Sequence, residues 1–596
     1  MKQSFEFKIY YPTLNSTIQL IGEFNSWGQD VNSRYFFSNE IYPYYTLTTP
    51  IPHLTPYLFK IDGLITRDPS SIYFDEDLNS IYWDFKDSSS YKHRYKLNVH
   101  KNRSLKILQT DLPGLIFHYR GKNGKLGNEV KFNNYYKFIT QSGVIDKIKE
   151  LGFNAIQFLP VTKSVDGDNW KFRYLCPFPK AIEDKWGNIN DFSEMIDAFH
   201  EQKIIFIQDS ILSHTPFKNY RVNGVPSRDC SLPFTYLGDE TTWGTKRYQY
   251  EDIGVQNYLI ENVLYFSKTF NVDGFRIDNV DGIIRFGENG DGKERPGGRD
   301  FLRNLTSSLY KSNDQTIISL ESHFYEADNA KMLIAPIESN PRALEATAYT
   351  SSRETFFFQT DYMPKSSSEI KSSRIKEIIE EKEWGESNAT IADFHNHDAA
   401  SGLMEMRATG SYAYDAIILN NSQLHIHAVG KIKVMEAIIS LCLEGRSLDL
   451  LQTFMLQTGS FEHDSTIHWF LEMVEANKAM IDYKKKINDI MDYEDFWPDH
   501  VSQRKILLCD DASKIIVFQK GKFIIFVNMS GDLISNYSVP ISINGEFELL
   551  LNSDEFKYSG FGRTIYPNII ETKPGPKLKF DWIAPYQILV LKFIKK

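Results

Sequence analysis

The sequence has few cysteines, no excess of positive charge and no long apolar run. Its four cysteines, Cys176, Cys230, Cys442 and Cys509, stand far apart without a C-x-x-C pair. This argues against a disulfide framework and a zinc ribbon, and it favours a reducing compartment. Lys and Arg number 67 against 77 Asp and Glu, so the net charge of −10 provides no basic field to attract nucleic acid or anionic lipid.

Apolar stretches stay well below the ~18 residues that a membrane span requires, and the polar residues near the N-terminus do not form the apolar core of a signal peptide. We therefore expect a cytoplasmic protein without membrane or nucleic-acid partners. With 596 residues, 42% of them hydrophobic and 24% charged, the composition is that of a folded globular protein with room for several domains.

Both ends of the chain have the pattern of β-sandwich domains. Short alternating runs broken by turn residues fill residues 1–105, which predicts an N-terminal β-sandwich; they are FEFKIYY, STIQLIGEF, YYTLTTPI, YLFKIDG and SIYW. Residues 501–596 return to the same alternation, which predicts a C-terminal all-β domain; its runs are KIIVFQK, KFIIFVNMS, YSVPISI, EFELLLNS and YQILVLKFI.

Between these ends, residues 106–500 alternate apolar strands with amphipathic helical stretches, as βαβ units do. The candidate strands are LIFHY (115–119), NAIQFLP (154–160), KIIFIQD (203–209), VDGFRID (272–278), TIISLE (316–321), LEATAYT (344–350), ATIADF (389–394) and LLQTFML (450–456). Eight strands over this length predict an α/β fold, a (β/α)8 TIM barrel with long loops.

Four acids follow or end candidate strands. Asp209, Asp278 and Glu321 each close a strand, and Asp398 comes shortly after ATIADF. Since the C-terminal ends of barrel strands build the active site, we expect these carboxylates to converge. A single strand-end acid is as easily a helix N-cap or a salt-bridge partner, but four together suit glycoside cleavage, which needs one ionised and one protonated carboxyl group.

The strings around these acids are similar to a known family. QDSILSHT (208–215), DGFRIDNV (273–280), SLES (319–322) and FHNHD (394–398) resemble, in order, the four signature regions of the α-amylase family, glycoside hydrolase family 13. The resemblance implies that Asp278 is the nucleophile, Glu321 the general acid/base and Asp398 the third carboxylate, which grips the sugar hydroxyls.

The same resemblance assigns five residues to substrate binding and support of the site. They are Asp209, His214, Arg276, His397 and Trp170. Arg276 would orient the nucleophile, the two histidines would hydrogen-bond the sugar, Asp209 would support the site from its strand, and Trp170 would form a platform for the cleaved sugar. No cofactor is expected. No metal site is expected either, because Ser213 precedes His214 where the family's amylases usually carry an asparagine linked to calcium.

Ser213 and the tail LLNSDEFKYSGFGR (550–563) resemble glycogen and starch branching enzymes, while IGEFNSWGQD (21–30) is similar to the β-sandwich that precedes them. We therefore expect a retaining enzyme that acts on α-1,4-glucosidic bonds, with an α-glucan as its partner, and favour a 1,4-α-glucan branching enzyme. ESHFYEAD (321–328) and GIIRFGENGDGKERPGGRD (282–300) depart from the branching pattern. An amylase-type or debranching hydrolase and a non-catalytic glucan-binding protein stay open as alternatives, and the sequence predicts no oligomeric state.

Overall fold

The structure is a computed structural model of the chain. It describes residues 5–99, 104–166, 173–218, 220–226, 236–287, 292–321, 348–351, 369–378, 391, 396–397, 418–419, 423–424, 426–443, 446–457, 465–496, 504–541, 544–572 and 577–595. The chain divides into two compact units. The first is Met1–Val99, Gly121–Ile145 and Phe158–Ala348, and the second is His100–Arg120, Asp146–Gln157 and Tyr349–Lys596. Within the described ranges, no helix combines the length and apolar character that crossing a bilayer requires.

The strands fall into three stretches of the chain. In the first hundred residues they are β1 (Phe5–Tyr10), β2 (Ile18–Ile21), β3 (Ser38–Ile41), β4 (Tyr44–Thr49), β5 (Thr55–Ile61), β6 (Leu64–Thr66) and β7 (Ser80–Tyr82). In the middle they are β8 (Leu105–Thr110), β9 (Ala155–Phe158), β10 (Thr162–Lys163), β11 (Phe178–Ile182), β12 (Ile205–Ser210), β13 (His214–Pro216), β14 (Arg221–Val222), β15 (Val225–Pro226), β16 (Leu237–Glu240), β17 (Thr245–Tyr248), β18 (Gly274–Ile277), β19 (Ile317–Glu321), β20 (Ala348–Ser351), β21 (Ile418–Leu419), β22 (Gln423–Leu424) and β23 (Arg446–Asp449). The last are β24 (Arg504–Asp510), β25 (Ile515–Lys520), β26 (Phe523–Asn528), β27 (Ile534–Pro540), β28 (Glu546–Asn552), β29 (Ile569–Glu571), β30 (Lys577–Ile583) and β31 (Ile588–Lys595).

The helices lie between the two all-β ends. They are α1 (Leu112–Ile116), α2 (Tyr135–Ser142), α3 (Val144–Glu150), α4 (Ile189–Glu201), α5 (Ile253–Phe270), α6 (Val280–Ile284), α7 (Gly298–Ser312), α8 (Ser372–Ile378), α9 (Ile426–Ala437), α10 (Leu451–Phe454) and α11 (Glu475–Met491). A short π-helix, Ile438–Cys442, continues α9.

The N-terminal β-sandwich is confirmed. Strands β1, β4 and β3 form one antiparallel sheet, and β2, β5 and β6 form another, with β7 paired to β5. Alternate residues such as Phe7, Ile9, Leu20 and Phe59 fill one buried cluster between the sheets. The period of two that the sequence shows is thus the period of side chains on a half-buried strand.

Several polar contacts join the N-terminal sandwich to helix α5, and one of them is made at the helix N-cap. The Tyr10 hydroxyl lies 2.7 Å from both carboxylate oxygens of Asp252, the N-cap of α5. The same carboxylate accepts the N–H of Gly254 at 2.8 Å. A methyl group on Gly254 would lie 2.0 Å from the Tyr10 ring, so a residue without a side chain is required here.

The C-terminal all-β domain is also confirmed. A six-stranded antiparallel sheet, in the order β24-β25-β26-β31-β28-β29, faces the pair β27 and β30. Phe526, Phe547 and Leu591 of the large sheet share a buried core with Val539 and Phe580 of the pair. The alternation of the sequence again separates the core face from the solvent face.

Parallel strands typical of the predicted barrel occur in each unit. In the first unit β12, β18 and β19 lie side by side, with Asp209 opposite Arg276 and Arg276 opposite Ser319. In the second unit β8 lies between β9 and β23, with Leu108 opposite Asp449. Predicted strands KIIFIQD, VDGFRID, TIISLE and NAIQFLP coincide with observed strands, and LEATAYT overlaps β20. ATIADF lies outside the described residues except for Ile391.

The prediction of a strand at LIFHY is wrong. Helix α1 covers its beginning, because the Asp111 side chain accepts the N–H of Gly114 as an N-cap and Pro113 fits the first turn. The parallel strand at this place is β8, one step earlier in the chain. Its side chains are buried although Lys106 and Gln109 are polar, so apolar patterning does not reveal it.

The prediction of a strand at LLQTFML is wrong as well. Strand β23 ends at Asp449, and Leu451–Phe454 form the short helix α10. All four residues of that helix are buried. A buried strand and a buried helical turn can both have a continuous apolar sequence, so periodicity alone does not distinguish them.

A buried ion cluster lies beside β23 in the second unit. The Lys484 Nζ of helix α11 donates to Glu436 and to Asp449, each at 2.6 Å, and all three side chains are at most 2% exposed. Burial, and then the neighbouring Asp449 carboxylate, raise the pKa of Glu436. Lys484 is therefore the cation that keeps two acids tolerable inside the fold.

We expect Lys484→Met to destabilise the protein by about 3–5 kcal/mol, because it leaves two buried carboxyl groups without their cation. Chemical denaturation measures this, with Lys485→Met as the matched control. Lys485 is the next residue of the same helix and is 38% exposed, with Glu150 at 3.6 Å. The control should change stability by less than ~1 kcal/mol. Equal losses in both variants would contradict the role given to Lys484.

Candidate active site

Three neighbouring strands bring acids and one arginine to the same edge of the first unit. Asp209 lies near the end of β12, Arg276 stands in β18 beside it, Asp278 follows β18, and Glu321 is the last residue of β19. All four residues are at most 8% exposed. Parallel pairing therefore collects three of the four predicted carboxylates at C-terminal strand ends, as in α/β barrels.

Arg276 binds all three of these acids. Its Nη1 donates to both oxygens of Asp209, at 2.9 and 2.7 Å, and lies 3.5 Å from Asp278. Its Nη2 lies 2.5 Å from Glu321 Oε1. Burial disfavours the charged guanidinium, but Asp209 and Glu321 outweigh it and hold the pKa of Arg276 well above its ordinary value.

Glu321 has a second fixed donor. The backbone N–H of Asn279 donates to its Oε2 at 2.7 Å. Asn279 has a φ of 46°, in the left-handed region, and its side chain caps helix α6 by accepting the N–H of Gly282. The turn after β18 therefore aims one N–H at the acid of the next strand.

Asp278 is held by a serine that also contacts the predicted histidine. The Ser213 hydroxyl lies 3.1 Å from Asp278 Oδ2 and 2.9 Å from His214 Nδ1. The Asp278 N–H donates to the Ser210 carbonyl at 3.1 Å, which fixes its main chain against β12. Because a hydroxyl has a single proton, Ser213 donates to one of these two acceptors at a time.

His214 is neutral in this site. Its Nε2 lies 3.1 Å from the Tyr174 carbonyl oxygen, which can only accept, so Nε2 carries the proton and Nδ1 is an acceptor. Burial, and then the nearby Arg247, lower the pKa of His214 from 6.5 to about 3. A fixed tautomer of this kind presents the same hydrogen-bonding pattern across the ordinary pH range.

Tyr174 and Arg247 belong to the site although the motifs did not identify them. The Tyr174 hydroxyl donates to Asp209 at 2.6 Å, and its ring lies beside the Arg276 guanidinium. Arg247 is 1% exposed on strand β17, opposite His214. Tyr174 lies in a loop and Arg247 in the short antiparallel strand β17, and neither stands at the end of a parallel strand.

Of the three remaining predicted site residues, the structure describes His397. His397 belongs to the second unit, where it is buried and its N–H donates to the Gln109 side chain of β8 at 2.9 Å. Asp398 and Trp170 lie outside the described residues. Across the part of the chain that the structure describes, no group of three His, Cys, Asp or Glu side chains could hold a metal ion.

Two family descriptions match the chain. The one described as "Alpha amylase, catalytic domain" matches residues 137–227, and the one described as "Alpha amylase, C-terminal all-beta domain" matches residues 506–593. The second match covers most of the C-terminal sandwich, and the first covers strands that precede Asp278 and Glu321.

Curated relatives of the chain include branching enzymes. A 1,4-alpha-glucan branching enzyme of Leifsonia xyli is 29% identical over 191 residues, which is 30% of this chain and 26% of the relative. The branching enzyme of Oceanobacillus iheyensis is 21% identical over 463 residues, 73% of this chain and 68% of the relative. The chain thus spans about a quarter of the length of the first of these relatives and two thirds of the other.

Solved structures with the same fold include pullulanases. The enzyme from Bacillus acidopullulyticus has a TM-score of 0.70 at 14% identity and covers 99% of this chain and 74% of its own. The enzyme from Paenibacillus barengoltzii, in complex with maltohexaose and alpha-cyclodextrin, has a TM-score of 0.71 at 12% identity and covers 100% of this chain and 94% of its own. At this identity the likeness shows the fold alone, and the predicted fold class is confirmed.

The neutral state of His214 predicts a pH dependence of stability. In the unfolded chain this imidazole takes up a proton near pH 6.5, but in the folded protein its pKa is about 3. The unfolded state then binds more protons, so stability is complete above pH 6.5 and falls as the pH drops. We expect His214 to lower the free energy of unfolding by about 2 kcal/mol when the pH falls from 7 to 5.

Denaturation curves of the wild type and of His214→Gln across pH 5–8 measure this contribution. All other histidines titrate in both proteins, so the difference between the two pH profiles belongs to His214. The variant should show the flatter profile below pH 6.5. Parallel profiles would mean that His214 accepts a proton inside the fold.

Proposed function

The chain belongs to the α-amylase family, glycoside hydrolase family 13, and on that premise we propose that it is a retaining α-glucan-processing enzyme. The observation that carries the proposal is the arrangement of Asp278 and Glu321. They stand at neighbouring strand ends and share the Arg276 guanidinium. Two buried carboxyl groups of this kind are the machinery of glycoside cleavage.

In the proposed reaction Asp278 attacks the anomeric carbon of a glucosyl unit while Glu321 protonates the departing glycosidic oxygen. This forms a β-linked glucosyl-enzyme and releases the shortened glucan. Glu321, now ionised, then takes the proton of the acceptor hydroxyl as that oxygen displaces Asp278. Two inversions at the same carbon retain the α configuration.

The contacts of the two acids support these roles. Asp278 is held by the Ser213 hydroxyl and the Arg276 cation, both of which favour a carboxylate in a fixed orientation. Glu321 accepts from Arg276 and from the Asn279 N–H, which suits the ionised base of the second step. A proton on Glu321 for the first step displaces one of these donors and points toward the leaving oxygen.

We propose that the acceptor is a glucan 6-hydroxyl, which makes the enzyme a 1,4-α-glucan branching enzyme. The support is the similarity to the branching enzymes of Leifsonia xyli and Oceanobacillus iheyensis, together with Ser213 before His214. A hydrolase uses the same first half-reaction, with water as the acceptor. The carboxylates alone therefore do not distinguish the two activities.

The remaining assignments are part of the same proposal. Asp398 would grip the sugar hydroxyls, His214 and His397 would hydrogen-bond the same sugar, and Trp170 would stack on it. Asp209 would support the site through Arg276. The two hydrogen bonds that Arg276 donates to Asp209 support this role. The domain limits 1–105, 106–500 and 501–596, an α-glucan partner and a cytoplasmic location complete it.

Incubation of the purified protein with amylose tests the reaction class. Proton NMR follows α-1,6 linkages and reducing ends in the same tube. New α-1,6 signal with few new reducing ends is the expected result, and it means transfer. Reducing ends without new α-1,6 linkages would identify a hydrolase, and no change with amylose, branched glucan or maltooligosaccharides would favour a non-catalytic glucan-binding protein.

We expect Asp278→Asn and Glu321→Gln each to lower kcat on amylose by about 10³-fold or more, because each removes a covalent or proton-transfer step. α-Maltosyl fluoride separates the roles, since fluoride leaves without a proton. Glu321→Gln should still release a first equivalent of fluoride, whereas Asp278→Asn should release none.

Asp300→Asn is the matched control for these two variants. Asp300 is a 70%-exposed acid of helix α7 whose nearest cation is Arg303, at 3.5 Å. This variant should keep wild-type activity on both substrates. Activity near wild type in Asp278→Asn would overturn the assignment of the nucleophile.

A further inference from the structure

Arg247 is a buried cation next to the proposed catalytic group, and no role has been given to it above. It stands on β17 opposite His214 of β13, and it is 1% exposed. Burial lowers the pKa of Arg247, while Asp278 is among the groups that raise it. A guanidinium in such a place costs free energy unless its contacts compensate, so what it touches indicates what it does.

On one side Arg247 contacts the main chain that carries Ser213 and His214. Its Nη1 lies 3.4 Å from the Ser213 carbonyl oxygen. The Tyr250 hydroxyl reaches the Leu212 and Ser213 carbonyl oxygens, at 2.8 and 3.1 Å. The Arg247 and Tyr250 side chains therefore both hold the main chain of this segment, and its Ser213 hydroxyl contacts Asp278.

On the other side Arg247 rests on the first turn of helix α6. A methyl group on Gly282 would lie 2.6 Å from the guanidinium carbon and from both of its terminal nitrogens. Gly282 donates its N–H to the Asn279 side chain at 3.0 Å, and the Asn279 N–H donates to Glu321. The guanidinium thus packs against the turn that serves the proposed acid/base.

We infer that Arg247 is a positioning residue of the catalytic site, whose guanidinium locks the Ser213–His214 segment to the Asn279–Gly282 turn. The Ser213 hydroxyl contacts the proposed nucleophile Asp278, and the Asn279 N–H donates to the proposed acid/base Glu321. Arg247 keeps these two donors at a fixed separation. The inference rests on the proposed function and goes beyond it, because Arg247 lies outside the four signature strings.

The electrostatics of His214 agree with this placement. After burial, Arg247 is the largest cause that lowers the pKa of His214. A cation at this point opposes protonation of Nδ1, so His214 stays neutral with its proton on Nε2, against the Tyr174 carbonyl oxygen. Arg247 then fixes both the place and the hydrogen-bonding pattern of the segment.

Gly282 offers a test that leaves the charge of Arg247 intact. Gly282→Ala meets only the flexible end of the Arg247 side chain among its nearest neighbours, and alanine is favoured over glycine inside a helix. We expect an unchanged or higher Tm, a kcat about tenfold lower on amylose and on α-maltosyl fluoride, and a KM within twofold. Small displacements of groups that orient catalytic side chains act on kcat in this way.

Arg247→Met should lower kcat about 100-fold. The double variant Arg247→Met/Gly282→Ala should be no worse than Arg247→Met, because the contact that alanine disturbs is already gone. Arg247→Lys should recover part of the lost kcat by donating to the Ser213 carbonyl. Lys246→Met is the control: its Nζ lies 4.2 Å from the centre of the Phe217 ring, and its removal should leave kcat unchanged.

Three results would overturn the inference: wild-type kcat in Gly282→Ala, losses that multiply in the double variant, or a rise in KM in place of a fall in kcat. A wild type that converts neither amylose nor maltosyl fluoride would instead refute the proposed function, and the inference with it. An active wild type with unaffected variants would refute the inference alone.

Discussion

The charge of Arg276 is what makes the site of the first unit possible. Asp209, Asp278 and Glu321 are buried within reach of one another, and without a shared cation their mutual repulsion and desolvation would favour neutral acids. The pairing of three parallel strands gives this arginine its place, with Asp209 directly opposite it. The register of the strands therefore determines which charged groups meet in the site.

Hydrogen-bond donors from outside the parallel strands also hold the three carboxylates. Ser213 reaches Asp278, the Asn279 N–H reaches Glu321, and Tyr174 reaches Asp209. Each donor comes from a turn or loop after a strand, so the carboxylates are set by the sheet and their orientations by the connections. This division is typical of α/β barrels, in which the strands form a rigid scaffold and the loops after them carry functional residues.

Much of this arrangement was predictable from the sequence, for identifiable physical reasons. Strand ends at Asp209, Asp278 and Glu321 follow from apolar runs closed by an acid, and both sandwiches follow from period-two alternation. Strand β8 was not predicted because its residues Lys106 and Gln109 are polar yet buried. The buried charge of Lys106 is paired with Asp492. Patterning cannot detect a polar side chain whose partner lies far along the chain.

Arg247 and Tyr174 were not predicted for a related reason: a residue away from the parallel strands gains its role only from the contacts around it. The motifs supply residue types at strand ends, whereas these two act across β13 and β17 or across the loop after β9. Asp398 and Trp170 fall outside the described residues, so their roles stay predictions.

The contact between Tyr10 and Asp252 has a consequence for the modularity of the protein. Asp252 caps helix α5, and α5 leads directly into the strand that carries Arg276. The bare backbone of Gly254 lies against the Tyr10 ring, where a methyl group would clash. An exchange of the N-terminal sandwich for that of another protein would thus have to preserve this tyrosine and glycine together. The sandwich and helix α5 are therefore fitted to each other at this contact, and a foreign sandwich without such a tyrosine would lack that fit.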